Sequence, residues 1–344
     1  MTQKRVPVLD AQKHPLMPTT PARARLLLDR GQASAYWSKL GIFCIILKKN
    51  VIPNNQNLAI GIDPGASFEG WSIVGTKDTI LNGTSETPKH VKKVIESRKT
   101  LRRARRFRNC WRRPARFNNR NRGKKTLAPS TFARWNAKIR ILNHLSTLYP
   151  ISMVAVEDIA APTKKGKSKR NENFSIIEQG KQWFYNKIKK KYPLVTYAGY
   201  ETKKYRDFYR LYKSPKKDEK SFSAHAVDAW VLAATLVGAA TPTDRCLYYW
   251  TPIITQRRNL HVANPIKGGI RKRSGGTRSM GFTKGTLVTD KYNNIRYIGG
   301  HSDKGISLIN PYSVKPDKRT TRSAKPSDLK ILTRIAFTTD RIVE

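Results

Sequence analysis

Leu58, Ile60 and Ile62 alternate with Ala59, Gly61 and Asp63. A period of two is the mark of a half-buried strand, because successive side chains of an extended chain point to opposite faces. Pro64-Gly65 supplies the turn, and Gly70–Val74 and Thr79–Leu81 read as further antiparallel strands. Met153–Ile159 is a strand with Met153, Ala155 and Glu157 on one face and Val154 and Val156 on the other. Leu194–Tyr200 is another. Spacings of three and four predict helices over Thr131–Leu148, over Phe174–Tyr192, where Pro193 stops it, and over Ser223–Gly238. Strands and helices in this succession predict an α/β fold.

Roughly the first 55 residues read as a small separate unit. It holds a strand at Val6–Leu9, a turn around His14–Pro18, a helix from Pro21 to Arg30 that Gly31 stops, and a strand at Ile42–Leu47. Pro53–Gln56 reads as a linker. Beyond Thr251, Gly and basic residues dominate around strand-like runs at Thr286–Thr289, Ile295–Ile298 and Ile306–Ile309, which predicts a small β-domain.

Charge changes the picture most. The 344 residues carry 68 Lys and Arg against 23 Asp and Glu, a net +45. Such a surplus repels itself unless a polyanion neutralises it, which sets aside an ordinary small-molecule enzyme and points to nucleic acid. The three cysteines lie far apart with no CxxC, which excludes a Cys₄ zinc site and fits a reducing compartment. The expectation is a cytoplasmic protein, nucleoid-associated or organellar. Met1–Pro18 has no apolar signal core, and Ala229–Ala240 is too short to span a bilayer.

The basic charge is concentrated. Val91–Lys125 holds 16 Lys and Arg and a single acid, Glu96. Leu101, Ala104, Phe107 and Trp111 recur at helical spacing, so the stretch to about Arg113 reads as a helix with one thin apolar stripe, ended by Pro114. A helix with Arg on nearly every side has no place in a protein core. Its guanidinium forks suit phosphate oxygens.

Against so few acids, those at strand ends stand out. Asp63 closes Gly61-Ile62-Asp63-Pro64-Gly65, Glu157 lies in Val156-Glu157-Asp158, and Asp228 follows His225 by three residues on the Ala-rich helix. Singly, each has an ordinary reading as a turn, a strand exit or a core histidine. In this chain order they match an RNase H-like nuclease. Three carboxylates from three elements suit two Mg²⁺ ions about 4 Å apart, with Mn²⁺ as an alternative, and His225 suits a general base.

Arg102-Arg103-Ala104-Arg105-Arg106 resembles the Arg-Arg-x-Arg-Arg signature of the IscB and IsrB proteins, transposon-encoded relatives of the RNA-guided CRISPR effector nucleases. His14–Pro18 followed by Pro21–Arg25 resembles their PLMP domain. Gly61–Gly65, Val154–Ile159 and Ser223–Trp230 are similar to their three RuvC motifs. Arg112–Arg122, Leu127–Thr131, Arg257–His261 and Gly268-Gly269 resemble the segments after the bridge helix and at the start of the C-terminal domain. IscB carries an HNH nuclease between the second and third RuvC motifs. Here the 67 residues from Asp158 to Ala224 contain no His and no Cys, so the resemblance is to IsrB.

The resemblance implies an RNase H-like RuvC core split by an Arg-rich bridge helix. The expected divisions are a PLMP domain over 1–55, RuvC parts over 56–89, 126–160 and 161–245, the basic segment over 90–125, and over 246–344 a β-domain that meets the target-adjacent motif. It implies a monomeric ribonucleoprotein with a long guide (omega) RNA. This would open double-stranded DNA, engage no membrane, and nick the non-target strand with Mg²⁺. Asp63, Glu157 and Asp228 would bind metal and act in catalysis with His225. Arg102, Arg103, Arg105, Arg106, Arg108, Arg112, Arg113, Arg116, Arg120 and Arg122 would hold nucleic acid. Arg257, Arg258, Lys267, Arg271 and Arg273 would serve the C-terminal domain in the same way. Three alternatives stay open: an RNA-guided binder without cleavage, a dimeric stand-alone RuvC-type junction resolvase, and a structural RNA-binding protein.

Overall fold

The computed structural model describes residues 5–106, 127–158, 175–216, 218–253, 263–264, 269–270, 278–302, 305–310, 322–335 and 337–342. In chain order the elements begin with β1 (Val6–Leu9), β2 (Pro15–Thr19), α1 (Pro21–Asp29), β3 (Ala33–Trp37) and β4 (Phe43–Leu47). Then come β5 (Leu58–Asp63), β6 (Phe68–Gly75), β7 (Thr79–Glu86), α2 (His90–Arg106), α3 (Pro129–Ser146), β8 (Met153–Asp158) and α4 (Ile176–Ile188). Next are β9 (Leu194–Ala198), α5 (Gly199–Phe208), α6 (Phe222–His225), α7 (Val227–Val237) and β10 (Leu247–Pro252). Two hairpins follow, β11 (Ala263–Asn264) with β12 (Gly269–Ile270), and β13 (Arg278–Ser279) with β14 (Phe282–Thr283). The last strands are β15 (Thr286–Thr289), β16 (Ile295–Ser302), β17 (Gly305–Ile309), β18 (Arg322–Ala324), β19 (Lys330–Arg334) and β20 (Phe337–Ile342).

The chain divides into two compact units. One comprises Met1–Glu86, Ile141–Ile159 and Tyr192–Glu344, the other Thr87–Arg140 and Ala160–Lys191.

The first unit contains the large sheet, in the order β20-β10-β7-β6-β5-β8-β9. β5, β6 and β7 form an antiparallel meander, β8 runs parallel to β5, and β9 parallel to β8. Third, second, first, fourth, fifth is the strand order of an RNase H-like sheet, as expected. β5 differs from its reading. Leu58 to Ile62 are buried on both faces, because β5 is the central strand and the apolar α7 covers one side. Ala59, Val74, Trp230, Val231, Ala233 and Ala234 share that core, and the Trp230 indole donates to Thr79 Oγ1 at 2.9 Å. β10 and β20 both lie within 246–344 yet join this sheet, β10 parallel to β7 and β20 antiparallel to β10.

The N-terminal sheet runs β2-β1-β4-β3 around Val6, Val8, Leu16, Ala24 and Ile45. Pro15–Thr19 is an edge strand where a turn was expected, and an edge position tolerates Pro15 and Pro18. The turn lies earlier, where the His14 amide donates to Asp10 Oδ1 at 2.7 Å. β3 has no counterpart in the sequence reading, since its Ser34 and Ala35 are exposed and carry no apolar alternation. The third sheet, β18-β17-β16-β15-β19, is antiparallel over Val288, Ile298, Ile306 and Leu308.

Two helical readings are corrected. β9 ends at Ala198, and α5 begins where the strand was expected to continue. The start has no Ser, Thr, Asp or Asn cap. Instead the Glu201 carboxylate accepts the Ala198 amide at 2.7 Å. The single helix expected over Ser223–Gly238 is broken at Ala226, with φ −113° and ψ −10°.

In the second unit, α2 confirms a basic helix from His90, with Lys92 to Thr100 exposed on every side. Its expected continuation to Arg113, Phe107 and Trp111 included, lies outside the described residues. α4 is shorter than the expected Phe174–Tyr192 and is capped by Ser175, whose hydroxyl accepts the Glu178 amide at 3.0 Å. Lys164–Asn173, which reads from its sequence as a basic, polar loop, lies outside the described residues. Among the described residues no helix is long and apolar enough to cross a membrane.

Candidate active site

Asp63 and Glu157 meet because their strands are neighbours. β5 and β8 run parallel with Ile62 opposite Val156, so the next residues, Asp63 and Glu157, emerge side by side at the carboxyl ends. The Glu157 carboxyl hydrogen-bonds to Asp63.

Asp228 comes from the first turn of α7 and is 2% exposed. Two glycines bring it in. A Cβ on Gly61 would fall 1.8 Å from the Ala229 carbonyl oxygen, and one on Gly70 would fall 2.1 Å from that of His225. β5 and β6 therefore sit directly against the backbone of α6 and α7, closer than any larger residue permits.

His225 ends α6 and is 8% exposed, its ring 4.8 Å from that of Phe68. The broken helix removes the expected three-residue spacing along one helical face. His225 nonetheless lies close enough for its charge to lower the Asp63 pKa. The four sequence-predicted residues are brought together.

Two cations were missed by sequence reasoning. Arg206 Nη1 donates to Asp228 Oδ1 at 2.6 Å. Lys213 Nζ donates to Asp228 Oδ2 and stands 3.9 Å from Asp63 Oδ2. Nothing distinguished these two in a chain with 68 basic residues; only proximity to Asp228 does.

The electrostatics follow from crowding. Burial first, and then the adjacent Asp63 charge, push the Glu157 carboxyl up to about 8. Burial also raises Asp63, partly offset by Lys213. Burial disfavours the Lys213 ammonium, but Asp63 and Asp228 outweigh it and raise its pKa. At neutral pH Glu157 therefore holds a proton, while Arg206 and Lys213 lie against the Asp228 carboxylate and Lys213 also faces Asp63.

The donor set suits a hard divalent cation, being all carboxylate oxygen. Among the described residues, no three Asp, Glu, His or Cys are arranged to hold one together as they stand. Lys213 occupies the space between Asp63 and Asp228 in the manner of a stand-in cation. With Lys213 set between Asp63 and Asp228 and Glu157 hydrogen-bonded to Asp63, the chemistry of the donor set fits such an ion.

Of the expected nucleic-acid residues, Arg102, Arg103, Arg105 and Arg106 lie on α2, and Arg103 is exposed. Arg108, Arg112, Arg113, Arg116, Arg120, Arg122, Arg257, Arg258, Lys267, Arg271 and Arg273 lie outside the described residues.

Residues 6–176, just under half of the chain, match the family model described as RRXRR protein. None of the curated proteins matches. Among solved structures, the chain is similar to T. thermophilus RuvC in complex with Holliday junction substrate. That match has 14% identity, covers 54% of this chain and 99% of that one, and has a TM-score of 0.30. A second Thermus thermophilus RuvC structure matches with the same identity and coverage and a TM-score of 0.25.

Proposed function

We propose that this chain is a RuvC-type, Mg²⁺-dependent DNA endonuclease of the IsrB kind. A bound guide RNA directs it beside a target-adjacent motif to nick the strand that does not pair with the guide. One observation carries the nuclease reading: Asp63, Glu157, Asp228 and His225, from separate elements, converge at the carboxyl end of an RNase H-like sheet. A protein that only bound nucleic acid would have no chemical need for clustered, mutually repelling carboxylates in a chain of +45.

Asp63, Glu157 and Asp228 would hold the metal. When bound, Mg²⁺ polarises a phosphate oxygen and acidifies a water. The protein's own part is positional. Arg206 fixes one Asp228 oxygen. To take part in holding it, Glu157 would release its proton to solvent and Lys213 would leave Asp228. The His225 imidazole, braced on Phe68, takes the proton of the attacking water.

Guidance by RNA rests on the exposed basic helix α2, the match over residues 6–176 and the resemblance of the sequence to IsrB. Phosphates wrapped on such a helix release condensed counterions, which supplies much of the affinity for nucleic acid. Asp158 to Ala224 offers no His or Cys for a second centre, so one strand is cut. The test is to purify the protein, sequence any RNA that accompanies it, and offer a duplex labelled separately on each strand. The expected product is a nick on the non-pairing strand, with Mg²⁺ and not with EDTA. Cleavage of both strands, or of four-way junctions without RNA, would favour the resolvase reading.

A further inference from the structure

The helix that holds Arg206 against Asp228 has a second face with no part in that interaction. Along α5, Thr202 is buried and Tyr205 and Arg206 are half-buried, while Tyr200, Lys203, Lys204, Asp207 and Phe208 are exposed. Positions separated by three, four, seven and eight share one side of a helix, so these form a single solvent face.

Its aromatics are unusually open. Phe208 is 77% exposed and Tyr200 75%, and Tyr212, just beyond the helix, is 71%. They are the three most exposed aromatic side chains among the described residues, and they lie between positions 200 and 212. Large aromatic rings left in water commonly mark a binding surface.

The face is also held firmly in place. The Phe208 ring lies 5.2 Å from Tyr209, and Tyr209 lies edge-on at 5.3 Å to the core residue Trp230. Arg206 ties the same helix to Asp228, and Gly199 at its start sits against Glu157. The helix, with the Phe208 ring, therefore stands at a fixed position beside the acidic centre. Tyr200 and Phe208 are about 12 Å apart along the axis at 1.5 Å per residue.

We propose that this face of α5, extended by Tyr212, is a stacking platform for unpaired bases of single-stranded DNA running into the acidic centre, with Lys203 and Lys204 neutralising its phosphates. Aromatic rings interleaved with basic residues are how proteins hold a single strand without reading its sequence. Bases inside a duplex do not offer their faces, so the partner is unpaired. The proposal rests on the nuclease reading, since it is the acidic centre that makes the strand DNA and gives it a destination.

The test measures binding with cleavage suppressed. The full-length protein, with any RNA that accompanies it, is titrated in EDTA into a single-stranded DNA oligonucleotide containing 2-aminopurine, whose emission falls when the base stacks. Wild type should quench it. The double variant Tyr200→Ala/Phe208→Ala should quench little and bind about tenfold or more weaker, while Tyr200→Trp/Phe208→Trp retains both. Lys203→Gln/Lys204→Gln should instead flatten the dependence of affinity on salt, by about 0.7 in slope for each phosphate left unneutralised.

Wild-type quenching and affinity in the alanine variant would overturn the proposal. So would an equal loss for a single-stranded RNA probe of the same sequence, which would make the face an RNA surface. Because the variants lie on the solvent face, matching thermal midpoints check that they fold. Wild-type protein that quenches the probe yet never cuts DNA with Mg²⁺ would defeat the nuclease reading on its own terms. Normal cutting with no stacking would defeat only this surface.

Discussion

Lys213 donates to Asp228 through one carboxylate oxygen and stands 3.9 Å from Asp63 Oδ2, so a single ammonium bridges acids from the end of β5 and the start of α7. The same two acids would have to receive a metal ion, and a lysine and a metal cannot hold them at once. Lys213→Met should lower the thermal midpoint of the metal-free protein, because it leaves a buried negative charge under-compensated. The variant should gain more stability than wild type on addition of Mg²⁺ or Mn²⁺. Thermal unfolding with EDTA and with each cation measures both effects. Equal cation responses in the two proteins would mean that Lys213 does not compete for the site.

Asp63→Ala should abolish nicking while leaving guided DNA binding within about twofold, because the carboxylate is set toward the acidic centre and not toward the bulk of the nucleic acid. Gel-shift and cleavage assays on one duplex separate the two. Retained cleavage would remove Asp63 from the chemistry.

Glu157 predicts how stability depends on pH. Its folded pKa of about 8 lies above the ordinary 4.5, so the folded state holds a proton that the unfolded chain has released. That contribution is complete below 4.5 and is lost as pH rises to about 8. Metal-free protein should therefore lose thermal stability across this window and level off above it. Divalent-cation affinity should rise over the same range, since ligation needs the deprotonated acid. Glu157→Gln should flatten the stability profile. A profile that keeps its slope in that variant would place the titrating group elsewhere.

Gly61→Ala places a methyl 1.8 Å from the Ala229 carbonyl oxygen, a clash that only a shift of α7 relieves. The expected cost is about 2–3 kcal/mol of stability, with cleavage lost out of proportion as Asp228 moves with its helix. Denaturant unfolding and cleavage rates measure each. An undisturbed variant would mean that β5 and α7 are less closely packed.

Replacing Arg102, Arg103, Arg105 and Arg106 together with Gln should weaken RNA binding. The slope of log affinity against log salt should fall by about 0.7–0.9 for each phosphate left unneutralised. An unchanged slope would leave these arginines facing solvent in the complex.

The large elements were readable from local pattern, and the four candidate acid–base residues from local pattern together with their order along the chain. β5 announces itself by alternation, and Asp63 and Glu157 stand out as acids closing apolar strands in a chain with only 23 acids. These are short-range signals, set by backbone period and by the rarity of a residue type. What needed the tertiary structure is whatever depends on partners distant in sequence. Burial of both faces of β5 comes from its central place between β6 and β8 and from the cover of α7, which no window around Leu58 contains. The start of α5 at Gly199 depends on Glu201 reaching back to Ala198 without a standard cap, and the break at Ala226 lies inside a run whose apolar pattern is continuous. Arg206 and Lys213 look like any other basic residue of the chain. They become part of the centre because the fold sets them 22 and 15 residues upstream of Asp228 in sequence yet against its carboxylate in space, where a buried charge must be compensated.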